Sequence, residues 1–251
     1  MTVAPNPQSV LEVIENKMIP EKSTAINWCK IQWRAVLAEM VATMMLVLFG
    51  CMACIPLDGF DLPSMYGAFG FGLAVLFNIQ IFGHISGAHM NPAVTVAALI
   101  WKKLSFPLAV AYVIAQCLGA ILGYGILVGV SPMNVAENGV CLTLPHANHN
   151  FYNTLGIEIV LTSALSLLNC AFWHPANHEK IESLAIKFGL AIVGLSLAGG
   201  PWTGASMNPA RSLGPAVWTG NWTMHWVYWL GPMIGTSIAA VFYKITFFNY
   251  P

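Results

Sequence analysis

The chain has 251 residues, of which 57% are hydrophobic and only 8% charged, and its ten basic and ten acidic side chains cancel to zero net charge. Soluble domains carry charge on about a quarter of their residues, and a nucleic-acid binder needs a basic surplus, so both classes are excluded. The composition is that of a polytopic membrane protein, and an all-α fold is expected from the spans that follow.

In chain order, residues 1–33 are polar and lack the basic-then-apolar pattern of a leader, so they read as a cytoplasmic tail. Apolar runs of the roughly 20 residues that cross a hydrocarbon core follow near Ala35–Ile55, Met65–Phe82 and Phe106–Val130. The first of these carries Glu39-x-x-x-Thr43, the second Phe71-Gly-Leu-Ala74 and the third Gly119-x-x-x-Gly123. Between the second and third lies Ser86-Gly-Ala-His-Met-Asn-Pro-Ala-Val-Thr95, opening a short apolar run from Asn91 to Ile100. A loop from Ser131 to Asn150 contains His146 and His149 and no evident binding device. Three further runs, near Leu155–Trp173, Ile181–Ala198 and Trp222–Phe248, carry Glu158-x-x-x-Thr162, Phe188-Gly-Leu-Ala191 and Gly231-x-x-x-Gly235. Before the last comes Thr203-Gly-Ala-Ser-Met-Asn-Pro-Ala-Arg-Ser212, opening the short run Asn208–Val217. Residues 249–251 form the C-terminal end.

The second half therefore repeats the first. The asparagines of the two boxes are offset by 117 (208 − 91), and the same offset carries Phe71 onto Phe188, which points to a duplicated unit. One channel domain over 34–248 is expected, with repeats at about 34–130 and 152–248. Three spans per repeat invert the second copy relative to the first, giving six spans in all. The two runs of about ten residues reach only about 15 Å as helix. They fit re-entrant half-helices entering from opposite faces and meeting near the midplane, since irregular backbone at that depth is tolerated only beside protein or a watery cavity. With both termini cytoplasmic, Lys17, Lys22, Lys30, Arg34, Lys102, Lys103, Lys180, Lys187 and Lys244 fall on or near the inner side, leaving Arg211 outside.

The chemistry of Asn-Pro-Ala follows from helix termini. Pro92 and Pro209 suit the first helical turn, Asn91 and Asn208 before them are strong N-caps, and Ala93 and Ala210 complete the boxes. Each half-helix start carries roughly half a positive charge, so two opposed starts oppose cations and protons. The two amides can also orient a passing water so that a proton wire is broken. Glu39 and Glu158, costly in lipid, should face inward and support the re-entrant loops. A proton relay is their sharper alternative role.

His84 and His89 flank the first box, and His84 is a candidate for the inner vestibule and for a pH gate. His174-Pro-Ala-Asn-His178 reads as a cytoplasmic loop, because Pro175 breaks the helical face and no acid completes a metal site. Gly204-Ala-Ser206 lacks a base for nucleophilic chemistry, so no enzyme and no cofactor are expected. Cys51, Cys54, Cys117 and Cys170 fall in or at the ends of spans and Cys29 inside, leaving Cys141 alone outside, so no disulfide framework is expected. The Asn221-Trp-Thr223 sequon lies at the start of a span and is not expected to be used.

The paired Asn-Pro-Ala boxes, six spans and paired glutamates resemble the aquaporin (major intrinsic protein) family over roughly residues 30–248. That resemblance implies a right-handed bundle of six transmembrane helices with two half-helices, one pore in each subunit of a homotetramer, and a plasma-membrane location. It also implies an aromatic/arginine selectivity filter made of Phe71, Ser196, Ala205 and Arg211. Water-selective members usually have histidine where this chain has Ser196, and the small Ser196 and Ala205 resemble insect glycerol-conducting aquaporins, the entomoglyceroporins. Ser212, where typical glycerol facilitators have aspartate, and Ala216, Tyr228 and Trp229 look instead like the water-channel pattern. The usual mercurial-sensitive cysteine is replaced by Ala205, leaving Cys51 and Cys54 as candidates. The expected function is passive passage of water, glycerol and, as a further candidate, urea across the lipid bilayer, with ions and protons excluded. An orthodox water channel is the first alternative, and a junction or scaffold protein with little conductance the second.

Overall fold

The computed structural model describes residues 25–56, 65–177 and 183–248, with side chains from Gln32 onward. The chain resolves into two units, Met1–Trp33 and Arg34–Pro251. The helices are α1 Ala25–Met52, α2 Met65–Ser86, α3 Pro92–Ile100, α4 Phe106–Val130, α5 Phe151–Trp173, α6 Leu184–Thr203, α7 Pro209–Thr219 and α8 Val227–Thr246. No strand occurs among the described residues. In hydrocarbon a backbone segment must satisfy its own polar groups, and the helix does so locally.

Five helices are apolar and long enough to cross a membrane: α1 from Gln32, α2, α4, α5 and α6. The sixth, α8, has the same 20 residues as α6 but is diluted by Pro232, Thr236, Ser237 and Lys244. Several boundaries differ from expectation: α2 runs on past Phe82 to Ser86, α5 starts at Phe151 and α8 only at Val227. Helix α1 begins ten residues before Ala35, within the stretch read as tail, and α6 runs on past Ala198 through Pro201 to Thr203. The extension of α6 matters because it delivers Thr203 to Glu158.

Glycines set where the helices meet. The repeat-related Gly72 on α2 and Gly189 on α6 face each other, so closely that a methyl group on Gly189 would stand 2.8 Å from the Gly72 carbonyl oxygen. Gly119 and Gly123 on α4 lie against the carbonyls of Met40 and Met44 on α1, while Gly231 and Gly235 on α8 lie against Glu158 and the Ile159 carbonyl on α5. Both Gly-x-x-x-Gly pairs are thus contacts inside one chain, the close-approach use of small residues in membrane helices.

The half-helices interlock the two repeats. Helix α3 of the first packs against α8 of the second: Thr236 Oγ1 donates to the Ala93 carbonyl at 3.0 Å, Trp101 Nε1 to that of Ala240 at 3.3 Å, and Lys244 Nζ to that of Ile100 at 2.8 Å. Reciprocally, α7 packs against α4, with Trp218 Nε1 donating to the Ile121 carbonyl at 2.8 Å. Away from these contacts α4 exposes Phe106, Val110, Ile114, Leu118, Leu122, Ile126 and Val130, an apolar stripe repeating every four residues and suited to lipid.

The cysteine expectation is overturned. Cys51 and Cys141 form a disulfide, with Cα atoms 5.3 Å apart. Cys51 lies in the last turn of α1, and the 131–150 loop folds back over that end: the Tyr124 hydroxyl stands 2.8 Å from the Val140 carbonyl and 3.2 Å from that of Val135, its one hydrogen serving them, and both valines join the buried cluster around Cys51. Linear order hid this, because it placed Cys51 in or at the end of a span and Cys141 in a separate loop 90 residues on.

Candidate pore and its constriction

The two re-entrant loops are built alike, residue for residue. Each begins with a hydroxyl side chain, Ser86 or Thr203, that donates to a buried glutamate at 2.7 Å and accepts a loop N–H two residues on. Glu39 also accepts the N–H groups of His89 and Met90, both at 2.8 Å; Glu158 accepts those of Ser206 at 3.0 Å and Met207 at 2.8 Å. A tyrosine hydroxyl holds each loop's first carbonyl, Tyr112 on Ser86 and Tyr228 on Thr203. Gly87, Ala88 and Met90 have positive φ, and so do Gly204, Ala205 and Met207. For alanine and methionine this backbone costs of order 1–3 kcal/mol each and persists only where the surroundings dictate it. The carboxylates gather the N–H groups to one side, where each loop is fixed to the helix behind it.

The boxes then start the half-helices. Asn91 Oδ1 accepts the Ala93 N–H at 2.8 Å, and Asn208 Oδ1 accepts those of Ala210 and Arg211 at 3.0 and 3.2 Å. Each amide nitrogen crosses to the other loop: Asn91 Nδ2 donates to the Met207 carbonyl and Asn208 Nδ2 to the Met90 carbonyl, both at 2.8 Å. An amide NH₂ has two hydrogens, so each asparagine braces the opposite loop with one and keeps a second. Two positive helix ends are thereby pinned together inside the protein.

A single cavity of about 620 Å³ runs past this junction. Its lining includes Lys103 and His84, both asparagines, and the four residues Phe71, Ser196, Ala205 and Arg211. The last four are brought together from three helices and a loop, with the Arg211 guanidinium carbon 4.4 Å from the Phe71 ring centre. Arg211 Nη1 donates to the Cys141 carbonyl at 2.6 Å and Nη2 to the Cys141 sulfur at 3.4 Å. Pro92, Ala93, Pro209 and Ala210 are buried behind the lining.

Other candidates fall outside the cavity or in its wall. His89 lines it but is packed, its Nδ1 3.2 Å from Thr95 Oγ1 and its ring against Tyr112 and Trp173. His174 caps the end of α5, and His178 lies outside the described residues. His149 stacks on Trp202 at the Arg211 end, with His146 beside it. Among the described residues no group of three or more potential metal ligands exists.

Sequence reasoning missed several supports. Gln116 Nε2 donates to Glu39 at 2.8 Å and lies 2.9 Å from Thr95 Oγ1; a glutamine in an otherwise apolar span was the available signal. Ser86 and Thr203 sit at matching positions of the repeat, which hinted at a shared role. Nothing local announced the Thr143 hydroxyl, which donates to Ser212 Oγ at 2.8 Å.

Residues 27–243 match the family model of the major intrinsic protein. The chain is 41% identical over 224 residues to aquaporin-4 of Mus musculus, covering 88% of this chain and 69% of that one. It is 40% identical over 216 residues to the lens fiber major intrinsic protein of Ovis aries, covering 86% and 82%. It superposes on the X-ray structure of the aquaglyceroporin from Plasmodium falciparum with a TM-score of 0.76 and 25% identity, covering 85% and 96%. The chain therefore belongs to the major intrinsic protein family, the membrane channels of aquaporin type, and is not an enzyme.

Proposed function

We propose that this channel conducts water together with glycerol, and urea as a smaller uncharged solute, while excluding ions and protons. The observation that carries the reading is the pairing of two small side chains, Ser196 and Ala205, with Phe71 and Arg211 along one cavity. Ser196 and Ala205 leave room for a carbon chain, Phe71 offers it an apolar wall, and Arg211 offers donors to its hydroxyls. The guanidinium is permanently charged, and with the two half-helix starts it opposes cations and protons, the barrier described for aquaporin-type pores. Likeness to the aquaglyceroporin from Plasmodium falciparum agrees with this reading.

In this proposal Phe71, Ser196, Ala205 and Arg211 form the filter, Asn91 and Asn208 orient water at the junction, and His84 lines the opposite vestibule. Glu39 and Glu158 are scaffolding, since their oxygens are taken up by loop donors rather than arrayed along the cavity. Because the cavity lies within one chain, each subunit of a homotetramer in the plasma membrane would carry its own pore.

Stopped-flow measurement of water and glycerol permeability of the purified protein in vesicles tests the reading. Fast flux of both is expected, and Ser196→His should lower glycerol passage far more than water passage. Fast water with background glycerol would instead establish a water-selective channel, a reading favoured by Ser212, which is tied to Thr143 and Ser206 rather than being an aspartate.

A further inference from the structure

We propose that the Cys51–Cys141 disulfide is a positioning device for the constriction, setting where the Arg211 guanidinium stands and hence which solutes pass; this rests on the filter role proposed for Arg211. The connection is short and direct. Cys51 is fully buried in the last turn of α1, its sulfur is bonded to that of Cys141, and Cys141 presents both its carbonyl and its sulfur to the two terminal nitrogens of Arg211. A rigid helix end is thus linked through one covalent bond and two hydrogen bonds to the charge in the pore.

Cys141 is poorly suited to hold that position alone. It lies in a loop without regular helix and has φ +68°, a left-handed backbone that a non-glycine residue adopts at a cost. The disulfide and the Tyr124 hydroxyl on the neighbouring Val140 carbonyl hold it there. The residue before Cys51 serves the opposite wall: Gly50 makes room for the Phe71 ring, whose Cγ would stand 2.8 Å from any added Cβ. Consecutive residues at the end of α1 therefore seat both sides of the constriction.

Without the tether the carbonyl is free to leave, and a buried guanidinium that loses its acceptor must find another oxygen. The nearest supply is the water or solute in the lumen, so the side chain turns inward and the gap beside Ser196 narrows. Larger solutes lose more than water.

The test uses the full chain in vesicles, comparing the parent with Cys51→Ser/Cys141→Ser, each with and without Arg211→Ala. With Arg211 present, losing the tether should lower glycerol permeability about fivefold and water about twofold, the scale of one hydrogen bond's net contribution. In the Arg211→Ala background the same pair of substitutions should change neither, because the group acted upon is gone. Unchanged permeabilities in the first comparison, or an equal change in the second, would overturn the proposal. A parent that conducts water but no glycerol would refute the glycerol reading alone, and the tether is then scored on water. Should the serine variant fail to fold, the folded parent can be reduced with a water-soluble phosphine. Phosphine and water yield the phosphine oxide as the disulfide becomes two thiols, verified by two new maleimide-reactive groups once a sample is unfolded in detergent, and the same loss of permeability is required.

Discussion

The proposed filter at the Arg211 end has a counterpart under the repeat. The offset of 117 that relates the two boxes carries Phe71 to Phe188, and it relates Ser196 to Ile79, Ala205 to Ala88 and Arg211 to Val94. All four counterparts line the same cavity, and Ile79, Ala88, Val94 and Phe188 pack in one apolar cluster. The backbone that supports them is the same at both ends, with a glutamate, a hydroxyl, a tyrosine and three left-handed residues each. Duplication thus supplied the geometry of two opposed loops, and two departures from it, serine for isoleucine and arginine for valine, made one end polar. The supports differ as well: Glu39 accepts four donors, including Gln116, where Glu158 accepts three.

The largest effect should come from removing the supports. Glu39→Ala strands four donors, two buried and two half-buried, and Glu158→Ala three buried ones, at up to about 1–3 kcal/mol for each group left unsatisfied. Both should sharply reduce the yield of folded protein in detergent, Glu39→Ala the more; the opposite order would break the comparison of the two anchors.

Making the two ends alike tests the departures themselves. Arg211→Val should raise proton leak about tenfold in vesicles loaded with a pH-sensitive dye, equivalent to about 1.4 kcal/mol of lost barrier. A leak no greater than the parent's would show that the half-helix starts suffice. Ser196→Ile should lower glycerol permeability about tenfold, whereas the reciprocal Ile79→Ser should change it less than about twofold. Equal effects would mean that both ends limit solute size.

The smallest effect concerns the turn before α8, where burial lowers the pKa of His225 below the usual histidine range and its Nε2 accepts the Trp229 indole N–H at 3.1 Å. A folded state that keeps this imidazole neutral binds fewer protons than the unfolded chain, so stability falls as pH drops through about 6.5. The Tm in detergent should decline from pH 7 to pH 5, and less in His225→Gln, which retains an acceptor without titrating. An identical decline in both would remove His225 as the cause.

Much of the scaffold was legible because membrane helices announce themselves by length and apolarity, and because a repeated motif is visible as a string. The half-helices were readable from Asn-Pro-Ala, where an N-cap precedes a residue fit only for a first turn. Boundaries were less so: α6 reaches Thr203 through Pro201, although a proline removes one hydrogen bond from a helix interior. The sequon asparagine lies in the turn between α7 and α8, where its own Oδ1 accepts the Thr223 N–H at 3.0 Å.

What the sequence determined by itself was the number of spans, the inverted repeat, the two helix starts and the residue types available to a filter, all consequences of local chemistry and periodicity. Tertiary structure decided which distant groups meet. It placed Gly119 and Gly231 at contacts within the chain, sent each half-helix to pack on the opposite repeat, crossed the asparagine amides between loops, and joined Cys51 to Cys141 beside Arg211. These pairings span some 70 to 144 residues of chain, and no local rule of helix or turn reaches that far. Only the packed bundle brings such partners within the 3 Å at which a hydrogen bond acts.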